Sequence, residues 1–523
     1  MGGQIEGGQE MNGAQALFET MVAGGVDTCF ANPGTTEMQF VAALDDVPAI
    51  RPVLSLFEGV CTGAADGYGR IAGKPALTVL HLGPGLANGL ANLHNARRAR
   101  TPIVNLIGDH ATWHRAADAP LSSDIVSLAT PMSDWVRETT SAQEIAADGA
   151  AALGAAQQPP GGVATLIVPQ DCQWDSAHGP ALVAAPQPLA PVPTVKVEAV
   201  AQALRDSGSA VILLGGSALT EAGLRAAARV EAASGCRVYI ETFASRREGG
   251  AGLPNFERLP YFPEPALEAL GQADTVVLAG ALDPVSFFGY PNLPSRLAPE
   301  TAAIHTLAPP ADDAVYGLSF VADLLGAPAD PLLPSIQVPS SPSGPLDVAS
   351  LGQALVAHLP ENAIVVNEAA TSAAGFDALS AAAPPHTILG LTGGAIGQGL
   401  PTAVGAAIAA PDRKVLAFQA DGSGMYTVQS LWTMAREALD VTVVVAANNA
   451  YRILQVELHR AGIDEPGPAA RSLTDLGNPR LDWTTIAQGF GIPATRATTA
   501  EELTTALTRN FAEPGPSLIE AIL

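Results

Sequence analysis

The sequence is short of several things that would mark other kinds of protein. Only 15% of its 523 residues are charged, and lysine occurs just three times, at Lys74, Lys196 and Lys414. The charge it does carry is strongly acidic, 51 Asp and Glu against 26 Lys and Arg, for a formal net charge of −25. Such a surface repels phosphate backbones and anionic lipid, so neither nucleic acid nor membrane is expected as a partner. Four cysteines, Cys29, Cys61, Cys172 and Cys236, are scattered with no Cys-x-x-Cys pair. That argues against a disulfide framework and fits buried thiols in a reducing compartment. No uninterrupted apolar run is long enough to span a bilayer. The first ten residues, MGGQIEGGQE, lack a signal-peptide pattern, and Glu6 stands where myristoylation needs Ser or Thr. Residues 1–10 read as a flexible tail, and the protein is expected to be cytoplasmic. A Gly-x-Gly-x-x-Gly fingerprint is also missing, which removes the usual signature of a dinucleotide pocket.

What the chain has in quantity is apolar sequence, 48% of it, enough for large cores and for surface hidden in an oligomer. Two stretches rich in Pro and Ala, residues 184–195 and 327–345, read as semi-extended linkers. They leave segments 11–183, 196–326 and 346–523, close to the usual domain size. Each alternates apolar strand-like runs with amphipathic helical ones, so the expected fold is α/β, with three doubly wound parallel-sheet domains. In the first, a helix over Ala14–Ala23 leads to a strand over Thr28–Ala31 and then to Pro33-Gly34-Thr35, with further strands at 77–81, 103–107 and 164–168. In the second, strand Ala210–Leu214, Gly215-Gly216 and helix Glu221–Ala233 make a Rossmann-like start. Without the glycine fingerprint this middle segment is read as structural, and FAD is not expected there.

The third segment holds the most informative run. A strand over Lys414–Gln419 ends in Ala420-Asp421-Gly422-Ser423, a helix is expected over Thr427–Ala438, and a second strand, Val441–Ala446, leads to Asn448. This βαβ unit puts a carboxylate and an amide oxygen at the carboxyl ends of two parallel strands, where open α/β sheets bind ligands. One carboxylate, one amide and no soft ligand suit Mg²⁺ or Ca²⁺, and a Mg²⁺ site commonly shares its shell with a phosphate-bearing partner.

Asp421-Gly422 followed twenty-seven residues on by Asn448 resembles the binding motif of the thiamine-diphosphate (ThDP) enzymes that act on 2-oxo acids, Ala420 replacing its usual leading glycine. The resemblance implies that Asp421, Asn448 and the main-chain oxygen of Ala450 hold the metal, with Gly422 and Ser423 against the diphosphate. It implies a pyrimidine-binding domain first, a middle domain, and a diphosphate-binding domain last. Glu58, followed by the small residues to Gly67-Tyr68-Gly69-Arg70, matches the glutamate that hydrogen-bonds N1′ of the aminopyrimidine. Flanked by Leu56, Phe57 and Val60, this carboxyl is suited to sharing a proton once buried; alone it would read more readily as a surface residue at a helix entry.

Other stretches match as well. His81-Leu82-Gly83-Pro84-Gly85-Leu86-Ala87-Asn88 is expected to form a tight turn over the cofactor. Acetolactate synthases commonly lack the histidine and benzoylformate-type decarboxylases have it, so His81 is a candidate acid–base group, the alternative being a packed strand-end histidine. Gly108-Asp109-His110 ends the next strand, which makes His110, with His114, a further candidate for the same cavity. In the run Gly393-Gly394-Ala395-Ile396-Gly397, Gly394 would lie near the cofactor and Ile396 would sit under it. Pro33 and Gly34 are assigned to the same site, and Thr371 or Ser372, after Asn367-Glu368, to the diphosphate turn.

The family places Glu58 of one subunit opposite Asp421 of another, so a homo-oligomer with its active site at the subunit interface is expected. The expected activity is ThDP- and Mg²⁺-dependent decarboxylation of a 2-oxo acid with carboligation to a second carbonyl compound, as in acetolactate synthesis. A non-ligating decarboxylase is the alternative, and a catalytically idle ThDP-binding paralogue the remote one.

Overall fold

Continuous runs of Val, Ile, Leu and Ala without polar alternation fold as strands covered on both faces, the mark of parallel sheets. A computed structural model describes residues 11–331, 333 and 337–523. The expected tail, 1–10, and part of the second expected linker lie outside the described residues. The first segment supplies β1 (Thr28–Asn32), β2 (Arg51–Leu54), β3 (Ala76–His81), β4 (Ile103–Asp109), β5 (Trp135–Glu138) and β6 (Val163–Pro169). They pair in the order β2-β1-β3-β4-β6-β5, all parallel, and every residue of β4 and β6 is buried.

The middle segment supplies β7 (Ala210–Leu214), β8 (Arg237–Ile240), β9 (Arg246–Gly249), β10 (Glu257–Arg258), β11 (Thr275–Ala279) and β12 (Ala303–Ala308). Five of these make the second parallel sheet, β10-β8-β7-β11-β12. The sixth, β9, leaves it. The last segment contributes β13 (Ile364–Glu368), β14 (His386–Gly390), β15 (Val415–Ala420), β16 (Val441–Ala447), β17 (Ala494–Ala497) and β18 (Ser517–Ile522). With β9 they form the order β17-β18-β16-β15-β13-β14-β9, in which β9 runs antiparallel to β14, from Leu389↔Arg246 to His386↔Gly249. The three expected parallel-sheet domains are present, the third sheet being mostly parallel. The third sheet ends in an antiparallel edge strand drawn from the middle segment, because two extended residues in a row of arginines (Arg246, Arg247) fall beside the open edge of β14.

The first and third segments share one hydrophobic cluster. Its centre is a crossing of two small-residue helices, Glu58–Ala72 and Gly399–Ala409. A Cβ on Gly405 would lie 1.8 Å from the Ala64 carbonyl oxygen, and one on Gly67 2.1 Å from that of Thr402. Glycine is therefore what allows the two backbones to touch. At the edge of this crossing Arg70 ties all three segments together. It pairs with buried Asp66, and its Nη1 donates to the carbonyls of Ser245 (3.1 Å) and Gly390 (2.7 Å).

Candidate functional site: two half-sites in one chain

The strand β15 runs straight into a short helix, Asp421–Gly424, so the Asp421 carboxylate sits at the strand's carboxyl end. Its Oδ1 accepts from the N–H of Gly422 (2.8 Å) and its Oδ2 from that of Asn449 (2.6 Å). Asp421 is 2% exposed, and burial pushes its pKa up. Backbone N–H groups are its hydrogen-bond partners, and it forms no salt bridge among the described residues; Arg247, Arg258 and Arg452 line the same cavity. On the neighbouring strand end, Asn448 Oδ1 accepts from Ala450 N–H at 3.0 Å, and Asn449 takes a left-handed φ of +54° to fold the chain back.

Asp421, Asn448 and Ala450 line one cavity of about 220 Å³ together with Gly422, Ser423, Thr371 and Ile396. A buried carboxylate without a salt-bridge partner, with the Asn448 amide and the Ala450 main chain in the same cleft, is a hard donor set that fits Mg²⁺. No cluster of three His, Cys, Asp or Glu side chains exists among the described residues. A cation in this cleft would therefore draw on amide and main-chain oxygens beside the single carboxylate.

The helix expected over Thr427–Ala438 is broken instead into the Asp421–Gly424 helix, a 3₁₀ turn at Met425–Thr427 and a helix at Ser430–Arg436. Thr427 Oγ1 donates to the Gly397 carbonyl at 2.8 Å, a side-chain bond to a neighbouring loop of the kind that competes with regular helix. That loop is shaped by Glu368, the last residue of β13. Glu368 Oε1 accepts from the N–H groups of Gly397 (2.8 Å) and Gln398 (3.2 Å), and its Oε2 from that of Gly399 (2.7 Å). The arrangement brings Ile396 to the cavity wall. Gly394, at φ +78°, does not line it; a Cβ there would strike the Phe287 ring at 2.5 Å. Of the two hydroxyl residues after β13, Thr371 faces the cavity, while Ser372 is buried.

The first segment builds a separate constellation. Glu58 opens its helix, buried, and its Oε2 accepts from Asn88 Nδ2 at 3.0 Å. The stretch from His81 to Asn88 is not the expected tight turn. Leu82 takes φ +55° and an 18-residue helix, Leu82–Ala99, begins there. Pro84 fits because it falls in the first turn, where a missing N–H costs no intrahelical bond. His81 sits at the end of β3 with its side chain 22% exposed, its Nδ1 2.8 Å from Glu37 Oε2 and 3.1 Å from Thr36 Oγ1. The buried Glu37 carboxylate raises the His81 pKa. Gly34, which follows Pro33, donates its N–H to Glu37 Oε2 at 2.8 Å. It must be small, for a Cβ there would lie 2.3 Å from the His81 ring.

The rings of His110 and His114 pack edge to face, 5.4 Å apart, and His110 Nε2 is buried without a partner among the described residues. None of Pro33, Gly34, Glu58, His81, Asn88, His110 or His114 lines the cavity that holds Asp421. The other wall of that cavity comes from the middle segment, at Phe243 and Arg247.

Two residues of this region, Glu37 and Gln419, were not singled out by sequence pattern, and Glu368 was placed only in the Asn367-Glu368 turn, without its role in holding the Gly397–Gly399 loop. Glu37 had a signal, since it stands three residues after Gly34 at a helix start, the spacing at which a Glu side chain reaches back to a backbone N–H. Gln419 reads as an ordinary strand-end residue.

Residues 11–128 match the family model for the thiamine pyrophosphate enzyme N-terminal TPP-binding domain, and residues 370–521 the model for the C-terminal TPP-binding domain. The chain is 52% identical to "Putative acetolactate synthase large subunit IlvX" of Mycobacterium tuberculosis, over 98% of this chain and 99% of that one. It is 29% identical to benzoylformate decarboxylase of Pseudomonas aeruginosa, over 97% of each. The structure of a thiamine-diphosphate-dependent 4-hydroxybenzoylformate decarboxylase from Rhodococcus jostii RHA1 superposes with a TM-score of 0.85 at 25% identity, covering 98% of each chain. Two strand ends carrying hard oxygen donors and a separate buried glutamate define a cofactor enzyme, and the chain belongs to the thiamine pyrophosphate enzymes. Among the described residues no helix is long and apolar enough to cross a membrane.

Proposed function

We propose that the protein catalyses Mg²⁺-dependent decarboxylation of a 2-oxo acid with thiamine diphosphate, at a site shared by two copies of the chain. The observation that carries this reading is the cleft in which Asp421 lies buried beside Asn448 and Ala450, its carboxylate held by two backbone N–H groups. Asp421, Asn448 and the Ala450 main-chain oxygen would hold the metal, with Gly422, Ser423 and Thr371 against the diphosphate and Ile396 beneath the cofactor. When bound, the cofactor supplies the attacking carbon and the electron sink for loss of CO₂.

The chain's own part is positioning and proton control. Glu58, steadied by Asn88, would share a proton with N1′ of the aminopyrimidine. Since Glu58 does not line the Asp421 cleft of its own chain, it is assigned to the cleft of a partner copy. His81 beside Glu37 stays protonated to a higher pH than a free histidine and so can supply a proton after CO₂ has left. That geometry favours release of an aldehyde. Carboligation to a second carbonyl compound is the second reading, supported by the name given to the 52% identical relative.

Incubation with ThDP, Mg²⁺ and a panel of 2-oxo acids that includes pyruvate and benzoylformate tests both. CO₂ with free aldehyde is the expected result; acetolactate from pyruvate in place of aldehyde would select carboligation. No CO₂ from any 2-oxo acid would sink the proposal. The shared site has its own test. Glu58→Gln and Asp421→Ala chains, each inactive alone, should recover about a quarter of wild-type activity when mixed and allowed to exchange, because half the dimers then hold one intact site. No recovery despite exchange would place both residues in one chain's site.

A further inference from the structure

Gln419, the residue before Ala420 on β15, is 1% exposed and has no part in the reading above. Its Nε2 lies 3.0 Å from Glu368 Oε2 and 2.6 Å from Ser423 Oγ. Its Oε1 has no partner among the described residues and faces Gly399, where an added Cβ would sit 2.4 Å from it. Which way an amide points is decided by its neighbours, and here the choice is forced. Glu368 already accepts three backbone N–H groups, an arrangement that a carboxylate satisfies. Turning the Gln419 amide over would set its oxygen against Glu368 Oε2, acceptor against acceptor, and nothing near Gly399 would repay the exchange.

The orientation passes on to Ser423. Its Oγ receives a hydrogen from Gln419, so its own O–H must point elsewhere. Among the described residues the one acceptor it reaches is the Ala420 carbonyl at 3.3 Å, long for an O–H···O bond, and Ser423 lines the Asp421 cleft. We propose that Glu368 and Gln419 form a fixed relay that makes the Ser423 hydroxyl a hydrogen-bond donor to the diphosphate of the cofactor. Both are positioning residues, acting through Ser423 without touching the ligand. Neighbouring bonds of this kind reinforce one another when buried, and a donor held in place spends no free energy on reorientation as the anion arrives. The inference rests on the proposed seating of ThDP in this cleft.

The test is ThDP affinity, measured by titration calorimetry at fixed Mg²⁺, together with the thermal midpoint of the cofactor-free protein. Gln419→Met keeps length and burial but removes the N–H. Ser423→Ala removes the donor itself. Each is expected to weaken ThDP binding about tenfold, the scale of one hydrogen bond to a charged group, and Glu368→Gln should do the same. The double variant Gln419→Met/Ser423→Ala should lose no more than either single change. A merely structural role would not produce that coupling, and losses that multiplied to about a hundredfold would overturn the relay. So would wild-type affinity in Gln419→Met. Should that variant fail to fold, Gln419→Asn keeps the amide but shortens its reach; it is expected to bind weakly, and full affinity would overturn the relay equally. If wild-type protein does not bind ThDP at all, it is the seating of the cofactor that fails.

Discussion

The two half-sites of the chain differ in kind. Around Asp421 the partners are backbone: N–H groups from Gly422 and Asn449, and a loop pinned by Glu368. Around Glu58 and His81 the partners are side chains, Asn88, Glu37 and Thr36. In the function proposed above, backbone fixed by one sheet would seat an anion and its metal, and paired ionisable side chains would hold and release protons. A seat without proton control would bind and do nothing, and proton control without a seat has no object. On that proposal the two functions fall on separate segments of the chain.

Substitutions can pull that division apart. Glu58→Gln should leave ThDP binding intact and lower kcat by about 10²–10⁴, the usual worth of a positioned proton-transfer group; near-normal turnover would remove Glu58 from the reaction. Asp421→Ala should do the reverse. With ThDP and Mg²⁺ at about a hundred times Kd the wild type gains ~2.7 kcal/mol of stability, and the variant should gain none in the same thermal scan. Gly405→Ala strikes neither half but the helix crossing between them. It should destabilise the protein by about 1–3 kcal/mol in denaturant unfolding, since backbone atoms of Ala64 occupy the space.

The smallest effect should come from Glu37→Gln. Glu37 raises the His81 pKa, so the protonated ring persists to higher pH in the wild type. Without the carboxylate, a limb of the pH–rate profile that needs protonated His81 should move to lower pH. The linked stability has the same sign. It is present below the unfolded histidine value, near 6.5, and is lost as pH rises through the raised one.

Much of this was legible in the residues. Unbroken apolar runs announced the parallel strands, and the pattern from Asp421 to Asn448 marked the cleft, because strand ends and turn residues are local features. What was not legible depends on distant partners. The turn expected at His81–Asn88 became a helix because Leu82 absorbs the left-handed conformation that a reader would assign to glycine. β9 could not be placed, since four residues of mixed polarity become a strand only where β14 offers an unpaired edge. Glu37 went unnoticed for the same reason: its importance comes from His81, 44 residues away.

The strand lent by the middle segment to the third sheet has a consequence for anyone who divides the protein. A fragment starting at residue 346 would leave the N–H and C=O groups of His386–Gly390 facing solvent, and a bare, apolar sheet border of that sort recruits other chains. Cutting at the linker would thus yield a sticky piece rather than a working module. The boundary that matters to the folded molecule runs around Arg246–Gly249, far from where the sequence thins into proline.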